Sequence, residues 1–228
     1  MEQLLFLLAL LCTAHAAQQD LSEKVFTFPL DKGAAAVRLT ASIEQPITAL
    51  TVCMRFYSTQ TRPQSLFSLA VPSESNAFLL YKPSMGVYRL HIKGTALDIK
   101  GLPDNTDEWN SVCWTWESSS GLTTLWVNEK RSARKILERR TTLNGPPSII
   151  LGQDQDSYGG GFDPNQSFVG DITDVHLWDS VIIPCEIRFY MEGYAFTPGN
   201  LLNWKNLQYS TNGSVYVERS DFDKLTCY

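Results

Sequence analysis

Several things are scarce in this chain of 228 residues, and each scarcity excludes something. Beyond its first residues no apolar run approaches the ~20 residues a spanning helix needs, so no membrane span is expected. Lysine and arginine total 19 against 24 acidic residues, giving a net charge of −5 with no basic run. Such a chain is a poor partner for a phosphate backbone, and nucleic acid is not expected. Histidine occurs three times, scattered, and no Gly-x-Ser-x-Gly is present. Ser- or Pro-rich linkers and internal repeats are missing too, which favours a single domain. Charged residues make up only 19% against 43% hydrophobic, which excludes a disordered chain.

What is there begins with Met1 to Ala17, MEQLLFLLALLCTAHAA. Leu4 to Leu11 are all apolar, and Ala14-His15-Ala16 gives a small-x-small cleavage pattern. Residues 1–16 therefore read as a cleaved secretory signal peptide and 17–228 as the mature domain, secreted and extracellular. Cys12 leaves with the signal, so the five cysteines become an even set: Cys53, Cys113, Cys185 and Cys227. In an exported chain this favours disulfides. Cys53 and Cys113 both lie in strand-like runs that a sheet could bring together. Cys185–Cys227 is the natural second pair and would tie down the tail. The alternative is that one of these two is free or pairs between subunits, since spacing alone does not fix connectivity.

Strand-like segments recur at roughly 8–12 residue spacing. Ala36 to Thr40, Leu50 to Phe56, Leu66 to Ala70, Phe78 to Tyr81, Val87 to Ile92, Val112 to Trp116, Thr123 to Val127, Ser148 to Leu151 and Asp171 to Trp178 are rich in Val, Thr, Tyr and Trp. The pattern is that of an all-β sandwich or jelly roll. One segment departs from it. Ile183, Ile187, Tyr190 and Tyr194 fall at helical steps, with Pro184 at the start and Gly193 near the end, so one short amphipathic helix is expected there.

The richest chemistry lies in Gly152 to Gln166, GQDQDSYGGGFDPNQ. Carboxylates and amides crowd around three consecutive glycines, and hard cations such as Ca2+ take several oxygen ligands in flexible geometry. Asp154, Asp156, Asp163, the Gln166 amide oxygen and a loop carbonyl could supply one set, if the glycines fold Asp163 back to face Asp154. The loop is not an EF-hand: Tyr158 stands where a fifth-position oxygen ligand should be, and Asn165 where the bidentate Glu should be. A plain solvated turn is the competing reading, because Asp, Gly and Asn are ordinary turn formers.

Gly152 to Trp178 closely resembles the pentraxin family. So do Cys113 to Gly121 (CWTWESSSG), Leu79-Leu80-Tyr81-Lys82 and Leu201-Leu202-Asn203-Trp204. Order and spacing match from about Phe26 to about Val217. The family signature His-x-Cys-x-Ser/Thr-Trp appears as Ser111-Val112-Cys113-Trp114-Thr115-Trp116, with Ser111 in place of His. The resemblance implies a flattened two-sheet, lectin-like jelly roll with one short α-helix on one face. It implies a homo-oligomer, a cyclic pentamer or related ring, with two Ca2+ per subunit on the opposite face. Phosphocholine, phosphoethanolamine or carbohydrate would bind through the ions, in innate immunity and the acute phase.

Carried over by position, Asp154 and Asp156 would bridge both ions, and Gln155 would offer its main-chain carbonyl. Asp163 and Gln166 would complete the more exposed ion, and Asn76 matches an amide ligand from an earlier loop. Ser75 stands where the family has an Asp ligand, which removes one charge, and Glu74 beside it could restore the balance. Tyr81 matches an aromatic residue packed against the ligand, and His91 the second wall of that pocket. Tyr190 matches a position tied to complement recognition, with Asn128 where its Asp partner would be; the plain reading of Asn128-Glu129 is a hairpin turn. Sequons occur at Asn165 and Asn212, of which Asn212 is the expected acceptor because Asn165 lies inside the loop.

Two other classes fit the sequence less well. A jelly-roll glycosidase needs two free carboxylates at set separations, and carboxylates neutralised by calcium make poor acids and bases. No enzyme is therefore expected. A laminin-G-like adhesion module shares the sandwich but typically forms repeats in longer chains.

Overall fold

The computed structural model describes residues 17–30, 33–43 and 46–220. The expected signal peptide, residues 1–16, and Cys227 lie outside the described residues. In chain order the strands are β1 (Lys24–Phe28), β2 (Ala36–Thr40), β3 (Ala49–Tyr57), β4 (Gln64–Val71), β5 (Glu74–Ser84), β6 (Val87–Ile92), β7 (Thr95–Lys100), β8 (Trp109–Glu117), β9 (Leu122–Val127), β10 (Lys130–Arg131), β11 (Lys135–Ile136), β12 (Ser148–Leu151) and β13 (Gly170–Trp178). The helix α1 (Pro184–Glu192) follows, then β14 (Gln208–Asn212) and β15 (Tyr216–Arg219).

The strands form two antiparallel sheets. The first runs β10-β9-β8-β3-β13-β1-β15 with β11 also on β9, and the second runs β14-β2-β12-β4-β5-β6-β7. Strand alternation sends one side of each sheet inward, and the inward sets meet in one core containing Phe56, Trp114 and Trp116 from the first sheet and Phe67, Phe78 and Tyr88 from the second. Phe78 stacks on Trp114 across the gap, with ring centroids 3.6 Å apart. The indole N–H groups of Trp114 and Trp116 donate to Thr123 Oγ1 and the Leu137 carbonyl, so burial leaves neither unpaired.

The expected jelly-roll sandwich with one helix is what the chain forms. Each of the nine expected strands lies within a strand of the structure. The helix is shorter than its apolar stripe. Pro184 pre-sets the first helical turn, and Gly193 ends it in the left-handed region at φ 76°. Ile183 and Tyr194 therefore fall outside α1 and are 62% and 61% exposed, whereas Ile187, Tyr190 and Met191 are buried.

The helix covers a second, smaller core on the outer face of the first sheet: Ile187, Tyr190 and Met191 pack with Trp178 over the Cys53–Cys113 disulfide. These cysteines are directly opposed on β3 and β8, as their strand positions suggested. Their loss should be costly, because the bond closes a long loop and fills the space under α1. The double substitution Cys53→Ala/Cys113→Ala is expected to lower unfolding free energy by about 2–5 kcal/mol, read from the urea midpoint at unchanged m-value.

Arg55 pins the helix end to the sheet. A bulge in β13 between Thr173 and His176 places Asp174 at φ 53°, with its Oδ2 3.1 Å from Arg55 Nε. The Arg55 amino groups donate to Ser111 Oγ and to the Tyr190 and Met191 carbonyls at the end of α1. Burial would raise the Asp174 carboxyl, but the His176 and Arg55 contacts outweigh it and hold it below the usual carboxylate range. Ser111, the departure from the family signature, thus serves this anchor.

Candidate metal and ligand site

The segment after β12 lies on the outer face of the second sheet, opposite the helix. Gly152 needs no side chain: a Cβ there would meet the Phe28 ring at 2.5 Å, and its φ is +84°. The Gln153 amide then donates to the Gly33 and Ala35 carbonyls, both at 2.9 Å. The Gln155 amide donates to Ser68 Oγ, the Ser68 carbonyl and the Ser148 carbonyl, and accepts from the Gly159 N–H. That side chain is fully engaged in holding the loop, so the main-chain carbonyl is what Gln155 has left to offer a ligand.

Ser157 and Gly160 pair in a tight turn, and Tyr158 closes it from above by donating to the Pro146 carbonyl at 3.0 Å. Arg38 donates to Ser148 Oγ and the Gly159 carbonyl, both at 2.9 Å. Arg62 donates to the Asn165 carbonyl at 3.1 Å and Ser167 Oγ at 3.2 Å. Gly161 sits at φ +73°, where a Cβ would come within 2.9 Å of the Ser157 amide nitrogen. Gly161→Ala should therefore distort the loop at a cost of about 1–3 kcal/mol. Gly160→Ala, whose Cβ would meet only Ser157 Oγ at 3.8 Å, should be tolerated. Thermal melts of the two variants compare them directly.

Within this frame three oxygen atoms are buried without a hydrogen-bond partner: Asn76 Oδ1, Asp154 Oδ1 and Gln166 Oε1. Asn76 lies on β5, Asp154 and Gln166 lie near the two ends of the loop, and all three residues belong to the set read from the sequence. Leaving such atoms unpaired inside a protein is costly. Asp154 is 6% exposed, and burial, reinforced by the Asp156 charge, pushes its carboxyl up to about 6. Asp156 itself is exposed.

Asp163 heads the turn that follows it. Its Oδ1 accepts from the Asn165 N–H and the Asn165 amide, both at 2.9 Å, capping the short 3-10 turn Pro164–Gln166. Among the described residues no three His, Cys, Asp or Glu side chains come together as a metal-holding group. Asp154 and Asp156 are the two carboxylates close enough to act on each other. Ser75 is partly buried on β5 beside Asn76. Glu74 Oε1 accepts from the Asn76 N–H at 3.1 Å, with its carboxylate against Gly94.

Tyr81 stands next to this set. Burial raises its phenol above the ordinary range, and the Asp154 and Asp163 charges add to that. Cross-strand pairing puts Ser65, Tyr81, Arg89 and Asp98 in one row over β4 to β7. Arg89 binds Asp98 through two bonds of 2.6 and 3.0 Å. His91 is two residues along β6 from Arg89, on the same face and opposite Leu79, and burial depresses its imidazole. Ser65 Oγ and His91 Nδ1, on the strands flanking β5, are also buried and unpartnered, as is Gln153 Oε1 outside this set.

Sequence reasoning missed the supports: Ser68, Ser148, Arg38, Arg62 and the Gln155 side chain. The available signal was a lone serine inside each of two apolar runs, Leu66-Phe67-Ser68-Leu69 and Ser148-Ile149-Ile150-Leu151. On the helix face, Tyr190 belongs to the buried stripe. It is 0% exposed, donates to the Asp174 carbonyl at 2.8 Å and lies under the Arg55 guanidinium, so its side chain offers a partner no surface. Asn128 and Glu129 form a two-residue hairpin turn with positive φ at both.

A two-sheet sandwich with an acidic loop on one outer face and a helix on the other defines a lectin-like binding protein. The Pentaxin family profile matches residues 24–219, and the chain belongs to that family. It is 40% identical to serum amyloid P-component of Mus musculus over 219 residues, covering 96% of this chain and 97% of that one. It is 43% identical to C-reactive protein of Sus scrofa over 220 residues, covering 96% and 98%. Its fold matches the heptameric SAP-like pentraxin from Limulus polyphemus with a TM-score of 0.78 at 21% identity, covering 90% of this chain and 99% of that one. Membership places the chain among non-enzymatic pattern-recognition proteins of the innate immune type. No helix among the described residues is long and apolar enough to cross a membrane.

Proposed function

We propose that the protein is a secreted, calcium-dependent recognition protein that binds phosphate-bearing or carbohydrate ligands through the loop face. One observation carries this: Asn76, Asp154 and Gln166 each hold a buried oxygen with no partner, and Asp154 is close enough to act on the Tyr81 phenol. Oxygen donors of mixed charge suit Ca2+. Asp154 and Asp156, with the Gln155 main-chain carbonyl and Asn76, would hold one ion. Gln166 and the second oxygen of Asp163 would hold another with the shared carboxylates. When bound, calcium supplies fixed positive charge toward phosphate or carboxylate oxygens. Asp154 is already desolvated and its loop is already fastened, so little ordering remains to be done on binding.

Tyr81 would pack the remainder of the ligand, with His91 as the far wall. Ala96 in β7, between Thr95 and Leu97, offers no carboxylate to a quaternary ammonium, and Arg89 and Arg62 both act on the Tyr81 phenol. This surround favours the anionic phosphate or an acidic sugar, and singles out neither phosphocholine nor phosphoethanolamine. Export in the manner of a serum protein, assembly as a closed ring, complement as a partner and a glycan on Asn212, which is exposed at the end of β14, complete the reading.

The test is passage over immobilised phosphoethanolamine and phosphocholine in calcium, with chelator elution and sedimentation of the eluate. Retention on at least one of the two columns, release by chelator and a multi-subunit eluate are expected. Flow-through on both columns in calcium, or retention that survives chelator, would overturn the calcium-bridged reading.

A further inference from the structure

Past Tyr81 the second sheet carries two charges that the metal ligands do not use. Pairing across β4 to β7 sets Ser65, Tyr81, Arg89 and Asp98 opposite one another, and Leu79, His91 and Ala96 in the neighbouring row. Both rows stand on the outer face, because the alternate residues Leu80, Leu90 and Leu97 pack on the core. The loop is fastened over β12 and β4 through Gln155. Strand order then runs from β4 through β5 and β6 to β7. A ligand reaching out from the loop across β5 therefore meets Arg89 and His91 on β6, then Asp98 and Ala96 on β7, at steps of about 4.8 Å.

Three features set this stretch apart. Arg89 spends Nε and Nη2 on the two Asp98 oxygens, and among the described residues no bond is made by Nη1. The pair is 36% and 34% exposed, and so open a pair adds little to stability. Second, His91 Nδ1 and Ser65 Oγ are buried without a partner on either side of this row, and His91 lies within reach of both the Arg89 and the Asp98 charge. Third, Ala96 is exposed and ends in a methyl group, which leaves the face low beside Asp98.

We infer that the Arg89–Asp98 pair determines specificity on this face, selecting a phosphate-bearing head group with a carboxylate and an ammonium on one carbon, as in O-phosphoserine. The phosphate sits at the loop, and a two-carbon arm crosses one strand spacing beside Tyr81. The carboxylate accepts from Arg89 Nη1, with His91 Nδ1 as a second polar contact, and the ammonium donates to Asp98. A head with an ammonium alone meets a cation and an anion together, and the two largely cancel. A head with both charges matches the pair one for one. The inference rests on the loop holding the phosphate.

Calorimetry in millimolar calcium with O-phosphoserine, phosphoethanolamine and phosphocholine tests it. The parent protein should bind O-phosphoserine about tenfold more tightly than either of the others, the scale of one hydrogen bond between charged groups. Arg89→Gln should remove that advantage and, by freeing the Asp98 carboxylate, strengthen phosphoethanolamine binding, at an unchanged urea midpoint. No preference for O-phosphoserine in the parent, or a preference that survives Arg89→Gln, would overturn the inference while leaving the calcium-bridged reading intact. Absence of calcium-dependent binding for all three would overturn both. Vesicles of phosphatidylserine and of phosphatidylglycerol, matched in surface charge, separate the sources of the head group. Retention on phosphatidylserine alone, lost in Arg89→Gln, assigns it to a lipid. Equal retention on both, with the calorimetric preference present, assigns it to soluble O-phosphoserine.

Discussion

Asp154→Ala should abolish calcium-dependent retention, lowering affinity by about 100-fold or more, above the usual effect of an outer-shell change at a metal site. The same substitution should act on stability with opposite signs in two buffers. In chelator the parent protein carries a buried carboxylate oxygen without a partner, next to the Asp156 charge and already pushed up to about 6. Removing that group relieves an unfavourable burial, so the variant should melt at or above the parent's temperature. In millimolar calcium the parent gains binding free energy that the variant cannot, and the order should invert. A melting difference of the same sign and size with and without calcium would mean that Asp154 is a structural residue and not a ligand.

Asp104→Ala should be the most damaging single change away from the loop. Lys82 and Asp104 pair inside the rim of the sandwich, with side chains only 5% and 4% exposed. Burial lowers the Lys82 ammonium, and Asp104 opposes that. Lys82 also sits over the rings of Phe56 and Tyr88, and Asp104 accepts from the Gly86 N–H in the β5–β6 turn. Taking away one partner strands a buried charge, at a cost of about 3–5 kcal/mol. For a chain of this size that is roughly a 6–20 °C fall in Tm. The double change Lys82→Met/Asp104→Leu should recover most of the loss, since neither charge is then stranded. A double variant as unstable as Asp104→Ala would show that the Gly86 and Tyr88 contacts, not the ion pair, hold the rim. Lys82 adjoins Tyr81, so calcium-dependent retention should fall with the single variant as well.

The parts of the fold that could be read from sequence were those whose burial pattern is one-sided. β6 and β12 were bounded correctly because Val87–Ile92 alternates and Ser148–Leu151 is a short apolar run. Strands β7, β14 and β15 went unread for a physical reason. Thr95–Lys100, Gln208–Asn212 and Tyr216–Arg219 are the outermost strands of their sheets, wet on one or both faces, and so lack the apolar signature. In the loop, the charged and amide residues were legible from composition. Which of their atoms face inward was not. Gln155 and Asn76 both carry amides, yet one is spent holding the loop to Ser68 and Ser148 while the other keeps a bare oxygen. Tyr190 was legible as part of the helix's apolar stripe, and it is buried there, whereas the complement role given to it came only from the resemblance.

Loop and helix leave the sandwich through opposite outer faces. A closed ring whose axis runs from one face to the other would therefore present every loop in the same direction. Each loop could then bind its small anionic group weakly and reversibly, while the assembly held a repetitive surface by avidity, a gain of about 10²–10⁴ without any new contact. Selectivity would lie in the spacing of ligands on the target as much as in their chemistry, and an isolated ligand in solution would compete poorly with a coated surface.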